Sequence, residues 1–258
     1  MKKSKYLLFI LISFCIYKKT FSAEKITFAA DYWCPYNCHP NTPTPGYIID
    51  MLYEIYGKDT VDYIEINWAR AIFETKKGKF NAIVAAGTSE APGFIYSKNI
   101  VGTQTVCLYT KLNSTLNIKN LDDLQNHSLG IIKNYTYYPE LDKYIADAKN
   151  KKYIHENFGE TAFDSMLKGL LENKYETIVE TENVLDFHLK STKIKLKTQF
   201  CATPVNLYIA FSPKIPLSNK FVETLDKGIE VLIKSGKMNI ILTKYSLKPW
   251  YKSRQLYP

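Results

Sequence analysis

Two adjoining stretches decide how this chain folds: Ile66-Asn67-Trp68-Ala69-Arg70-Ala71-Ile72, and Gly78-Lys79-Phe80-Asn81-Ala82-Ile83-Val84-Ala85-Ala86-Gly87-Thr88. Residues 61–66 alternate as a strand with one covered face does. From residue 68 to 76 the period becomes helical, which puts Ala71, Ile72 and Thr75 on one side, and Gly78 stops the helix. Residues 80–86 are an apolar run rich in small side chains. They read as a strand covered on both faces, ending in Gly87 and the hydroxyl of Thr88. Strand, crossover helix and strand make the repeating unit of a parallel sheet.

The same rhythm extends in both directions. Residues 25–30 predict a strand that ends at Asp31-Tyr32-Trp33-Cys34-Pro35-Tyr36. Residues 47–55 predict a helix with Ile48, Met51, Leu52 and Ile55 on one face. A strand at 105–111 leads into a second α/β series. It has helices at 121–124, 139–148, 162–172 and 183–189, and strands at 128–132, 152–155 and 175–180. The chain returns through Phe200-Cys201-Ala202-Thr203-Pro204 to a strand at 205–211 and closes with helices at 217–234 and 237–245. The expected class is α/β, with mostly parallel sheets flanked by helices.

The first residues set the expected compartment. Lys2, Lys3 and Lys5 precede a twelve-residue apolar run, 6–17, and Thr20-Phe21-Ser22-Ala23 offers small residues for cleavage. A helix of that length covers ~18 Å, well short of a bilayer core of ~30 Å. Residues 1–23 therefore read as a cleaved signal peptide, and the working protein as exported to the periplasm. Phe14 before Cys15 argues against lipidation. The formal charge of +9 falls to +4 once the five lysines of residues 1–23 are set aside. The remaining lysines are scattered, so no nucleic-acid partner is expected. Four cysteines stay after export: Cys34, Cys38, Cys107 and Cys201. An even number in an exported chain favours disulfides, with three possible connectivities. His39 beside Cys38 raises a zinc alternative, but no second ligand pair has the required spacing, so no metal is expected.

Taken in order, these pieces resemble the periplasmic solute-binding proteins of the polar amino-acid type. Beyond the stretches already quoted, Leu121-Asp122-Asp123-Leu124 with Leu129-Gly130-Ile131-Ile132 is similar to the entry into that family's second lobe. The run from Gly169 to Glu180 is similar to its L..G.vDavv.D segment, and Ser235-Gly236-Lys237-Met238 with Thr243-Lys244-Tyr245 to its closing helix. The resemblance covers essentially all of the chain after residue 23. It implies a two-lobe periplasmic-binding-protein type II fold, with residues 24–109 plus 206–258 in lobe 1 and 110–205 in lobe 2. Two crossings form the hinge. It also implies a monomer that needs no cofactor. Such a monomer captures a small-molecule ligand (an amino acid, a related zwitterion or an organic acid) between the lobes and delivers it to an inner-membrane ABC permease. Cys107 and Cys201 fall at the two crossings, which implies a bridge between them. Cys34 and Cys38 then close a local loop around Pro35.

In open α/β sheets ligands bind beyond the carboxyl ends of strands. Asp31, Tyr32 and Trp33 follow the first strand, as a cleft wall with an acid for a cationic group, or alternatively as core and a turn cap. Trp68 and Arg70 start the helix after the second, where a lone Arg either clamps a carboxylate or makes a surface ion pair. Ala86, Gly87 and Thr88 end the long apolar strand, where the family offers backbone groups and a hydroxyl. Soon afterwards the family places an Arg that grips the amino-acid carboxylate. The turn Ser89-Glu90-Ala91-Pro92-Gly93 is shorter and has no Arg, so either Arg70 replaces it or the ligand is not an ordinary α-amino acid. In the second lobe, Asn134, Tyr135 and Thr136 open a helix suited to an anionic group. Glu180 stands where the family has an acid for the ligand ammonium. Arg70 and Glu180 are expected to face one cleft from opposite lobes.

No G-x-S-x-G elbow, P-loop, H-E-x-x-H or dinucleotide fingerprint is present, so no enzyme is expected. Two alternatives stay open. One is a dehydratase of cyclohexadienyl acids on the same fold, with Glu180 as acid and Arg70 as anchor. The other is a lobe pair used for sensing or surface interaction.

Overall fold

The computed structural model describes residues 25–159 and 161–252. The expected signal peptide lies outside the described residues. The first series runs β1 (Ile26–Ala30), α1 (Tyr47–Tyr56), β2 (Val61–Glu65), α2 (Trp68–Lys76) and β3 (Ala82–Ala86). Its three strands pair in parallel, β1 lying between β2 and β3. Asn67 caps α2, its Oδ1 accepting the Arg70 N–H at 3.4 Å. β3 is buried throughout, as its apolar run predicts. Two short strands follow, β4 (Ile95–Tyr96) and β5 (Gly102–Gln104), before β6 (Val106–Lys111).

The second series comprises β7 (Leu129–Ile132), α3 (Pro139–Ala146), β8 (Ile154–Asn157), α4 (Ala162–Leu171), β9 (Thr177–Thr181), α5 (Glu182–Leu189) and β10 (Leu196–Cys201). β11 (Val205–Phe211), α6 (Ser218–Lys234) and α7 (Lys237–Lys244) complete the chain. One sheet has the order β2-β1-β3-β11-β4, with β5 also on β11; the other is β10-β6-β9-β7-β8. Within each series the strands are parallel. β11 and β6, which arrive from crossings between sheets, run antiparallel to their neighbours. A strand that arrives from the other sheet is not held to the handed βαβ connection, so either direction is open to it. The chain leaves the first sheet after Gln104 and joins the second at Val106; it leaves the second after Cys201 and rejoins the first at Val205.

β4, β5 and β10 are additions to the expected elements. Among the described residues β10 pairs with β6 alone, and it carries Lys197, Thr198 and Gln199, the polar pattern of an edge strand. Both disulfides form. Cys107 and Cys201 are register partners on β6 and β10 with Cα atoms 4.1 Å apart; Cys34 and Cys38 are 4.7 Å apart.

The larger core gathers Phe28, Ile48, Met51, Leu52, Phe211, Leu225 and Leu242 between the first sheet and α1, α6 and α7. The second sheet has a core on each face. Ile178 joins Met166 and Leu170 on one side, and its neighbour Val179 joins Leu108, Leu129 and Leu141 on the other. The two-residue period of β9 produces that split. Tyr175 locks the α4 side: its hydroxyl donates to the Met166 carbonyl at 2.7 Å, and its ring lies against Gly130 and Gly169. A Cβ on Gly130 would meet that ring at 2.4 Å. Gly130→Ala is therefore expected to cost about 1–3 kcal/mol in thermal or urea denaturation. An unchanged melting temperature would show that the ring moves aside freely.

Among the described residues no helix is long and apolar enough to cross a membrane.

Candidate functional site

The carboxyl ends of β1, β3, β7 and β9 converge on one cavity between the sheets. From the first sheet come Asp31, Trp33 and Asn37 after β1, Trp68 at the start of α2, Val84 and Ala85 in β3, and then Glu90 and Gln104. From the second come Val106, Tyr135, Thr136 and Tyr137 beyond β7, and Glu180 and Thr181 at the end of β9. The interior offers about 50 Å³ to the centres of water-sized molecules. One water needs ~10–15 Å³ on that measure, so the closed cleft suits a small solute and not a polymer.

Three carboxyl groups face this space, each anchored by a donor. The Tyr135 hydroxyl donates to Asp31 Oδ2 at 2.9 Å, a hydrogen bond from one lobe to the other. The Thr181 N–H donates to Glu180 Oε1 at 2.7 Å. Glu90 Oε2 accepts the Gly87 N–H at 2.6 Å, and the Trp68 indole donates to the same carboxylate.

Burial governs their acidity. It pushes Asp31 up to about 7; the hydrogen bond from Tyr135 opposes this, and the charges of Glu90 and Glu65 add to it. It pushes Glu180, only 2% exposed, up to about 8, with the Thr181 N–H opposing and Asp31 adding. Burial also raises Glu90, against the Gly87 N–H and Trp68. Each is the desolvation of a charged form in a low-dielectric site.

Asn37 lines the same cavity and is 1% exposed. Its Nδ2 donates to the Asp31 carbonyl at 2.6 Å, while its Oδ1 has no hydrogen-bond partner among the described residues. Trp33 stacks on Tyr36 at 4.1 Å between ring centres, so its ring is held as a wall.

Six residues expected at the cleft meet there: Asp31, Trp33, Trp68, Tyr135, Thr136 and Glu180. The other six lie elsewhere. Tyr32 sits beside the cavity, stacked on His39 at 4.4 Å. Arg70 is two residues beyond Trp68, about 200° further round the helix, which turns it away from the cavity. Its side chain is 62% exposed and lies 3.9 Å from Glu74. Ala86 is sealed in the sheet as the register partner of Tyr208. The register slips between that pair and Ala210–Ile83, where Ala85 takes a φ of +61°. This bulge turns Val84 and Ala85 to the cavity in place of Ala86. Gly87 reaches the site only through its N–H on Glu90, and Thr88 is exposed. Asn134 is also exposed and, with a φ of +65°, makes the turn that delivers Tyr135.

Glu90, Asn37, Gln104, Val106, Tyr137 and Thr181 are further members. Glu90 belongs to the short turn that lacks the expected Arg, where a lone acid gives no signal of its own. The others depend on how the loop 31–38 and the two crossings pack. Among the described residues no Lys, Arg or His lines the cavity. Lys133, next to the Tyr135 loop, is held by Glu156 at 2.9 Å. Among the described residues no group of three or more His, Cys, Asp or Glu is placed to hold a metal ion.

This geometry has known counterparts. An arginine-binding protein variant from T. maritima superposes with a TM-score of 0.69 at 14% identity, covering 89% of this chain and 96% of that one. A protein of glutathione import through GshT and the cystine ABC importer TcyBC, from Streptococcus mutans, gives 0.71 at 18% identity, covering 88% and 97%. An ancestral amino acid-binding protein, precursor of cyclohexadienyl dehydratase, gives 0.66 at 13% identity, covering 86% and 95%. The chain has the two-lobe fold of the periplasmic binding proteins. No protein-family model and no curated protein sequence matches it.

Proposed function

We propose that this is an exported solute-binding protein that closes two lobes, residues 24–109 plus 206–258 and residues 110–205, on a small polar solute for an ABC importer. It does this as a monomer and without catalysis. The observation that carries this reading is the cavity itself. Both sheets line it at their strand ends, buried polar groups converge in it, and the Tyr135–Asp31 hydrogen bond spans it. A solute that touches both walls binds the closed form better than the open one, and so drives closure. The structural counterparts, mostly binding proteins of amino acids and related solutes, support the same reading.

A melting-temperature screen of amino acids, amines, organic acids and sugars tests it. A ligand at 100 times its dissociation constant raises stability by ~2.7 kcal/mol, an upward shift of several degrees. A screen in which no solute of any class shifts the melting temperature would overturn the reading. A dehydratase reading has one supporting observation: Glu180, pushed up to about 8, holds a proton at neutral pH. Among the described residues no basic side chain is placed to seat a carboxylated ring, and turnover of such acids is expected to be absent.

A further inference from the structure

We propose that the solute is a small organic cation, an amine or a guanidine, and that this site does not need a carboxylate on its ligand. The inference rests on the solute-binding reading and deepens it. Acids converge from both lobes, Asp31 and Glu90 from the first and Glu180 from the second, and among the described residues no basic side chain shares the cavity. An anion placed there finds three carboxyl groups and opposes the ionisation of each. A cation relieves the repulsion among them and supplies the partner that buried carboxylates require.

The donors point the same way. A ligand carboxylate needs N–H or O–H groups, and the strongest of those here are already taken. Tyr135 Oη serves Asp31, the Thr181 N–H serves Glu180, and the Gly87 N–H and Trp68 indole serve Glu90. Thr136 and Gln104 are neutral. Tyr137 Oη, also on this wall, accepts the Ile132 N–H at 2.8 Å. Trp33 and Trp68 add aromatic faces to the same walls, a surface that attracts cations and repels anions. Acids from both lobes and aromatic walls are separate features, and both favour the same sign of charge.

Proton linkage follows from the same geometry. Asp31 is faced by Tyr135, Tyr63, Glu90, Glu65 and, across the cleft, Glu180; Glu180 is faced by the Thr181 N–H, Asp31 and the hydroxyls of Tyr36, Tyr109, Tyr135 and Tyr137. A cation binds their ionised forms, so binding releases protons and weakens as the pH falls.

Calorimetric titration of the purified protein at pH 8 with agmatine, cadaverine and phenethylamine, each beside its carboxylated counterpart arginine, lysine or phenylalanine, tests this. Succinate and glucose serve as an anion and a neutral solute. At least one amine is expected to bind about tenfold or more tighter than its counterpart, and to weaken by about tenfold or more between pH 8 and pH 6. Asp31→Asn and Glu180→Gln, checked for an intact melting transition, are each expected to weaken it by about 30-fold or more. If one variant does not fold, the other decides. An amino acid that binds as tightly as its amine, or amine binding untouched by the folded variant, overturns the inference. Binding of succinate or glucose without any amine overturns the inference and leaves the solute-binding reading standing. No binding by any of these solutes overturns the inference, and the broader melting-temperature screen then decides the parent reading.

Discussion

Raising the pH of the ligand-free protein from 5 to 9 is expected to open the cleft, seen as an increase in the radius of gyration by small-angle X-ray scattering. In the closed form Asp31 and Glu180 hold their protons up to about pH 7 and 8, whereas the ordinary values are 3.8 and 4.5. The closed form therefore binds protons more tightly than the open or unfolded chain. Its advantage is complete below the ordinary carboxylate range and is lost as the pH rises through the closed-form values. One unit of displacement is worth about 1.4 kcal/mol, so each group contributes on the order of 4 kcal/mol over that window. The two do not add in full, because part of the Glu180 displacement is repulsion from Asp31. Opening the lobes returns both groups to water at less cost than unfolding does. The melting temperature should therefore fall only until opening takes over, while the radius of gyration keeps reporting the change. The Asp31→Asn, Glu180→Gln double variant should stay closed across the range. A radius of gyration independent of pH in the unaltered protein would show that the ligand-free form is already open and hydrated at pH 5.

Replacing both Cys107 and Cys201 by Ser is expected to lower stability by about 2–5 kcal/mol, and the melting temperature by roughly 5–20 °C. The bridge spans a sequence separation of 94 residues, nearly the whole of the second sheet and its helices. Without it, the unfolded chain regains the freedom of that long loop. It also ties the edge strand β10, which has only β6 to pair with, beside the point where the chain returns to the first sheet. The Cys34–Cys38 bridge spans a separation of only 4, so its loss restores little chain entropy. It holds the loop bearing Trp33 and Asn37, and its removal is expected to weaken ligand binding more than it lowers the melting temperature. Equal melting temperatures for the Cys107→Ser, Cys201→Ser variant and the parent would show that packing alone seats β10.

Much of the fold was legible because it follows from short periods in the chain. Val61–Glu65, Trp68–Lys76 and Ala82–Ala86 differ in apolar spacing, and each spacing has one regular structure that buries it. β10 is not legible in the sequence because an edge strand faces water and keeps polar residues that look like loop. Of the expected site residues, Asp31, Trp33, Trp68, Tyr135, Thr136 and Glu180 line the cavity, since strand ends in such sheets open on the cleft.

By itself the sequence determined the α/β class, the even number of cysteines left after export and the absence of an Arg from the turn at Glu90. All of these are set by local spacing or by residue identity. The tertiary structure decided which way each neighbouring residue faces. A turn of α2 sends Arg70 to solvent while Trp68 enters the cavity, and a bulge in β3 exchanges Ala86 for Val84 and Ala85. It also decided the charge of the site. Asp31, Glu90 and Glu180 are ordinary carboxylates in the chain, separated by many residues. Only folding brings them into one poorly hydrated space, where the cost of desolvating each charge shifts its acidity and sets what can bind.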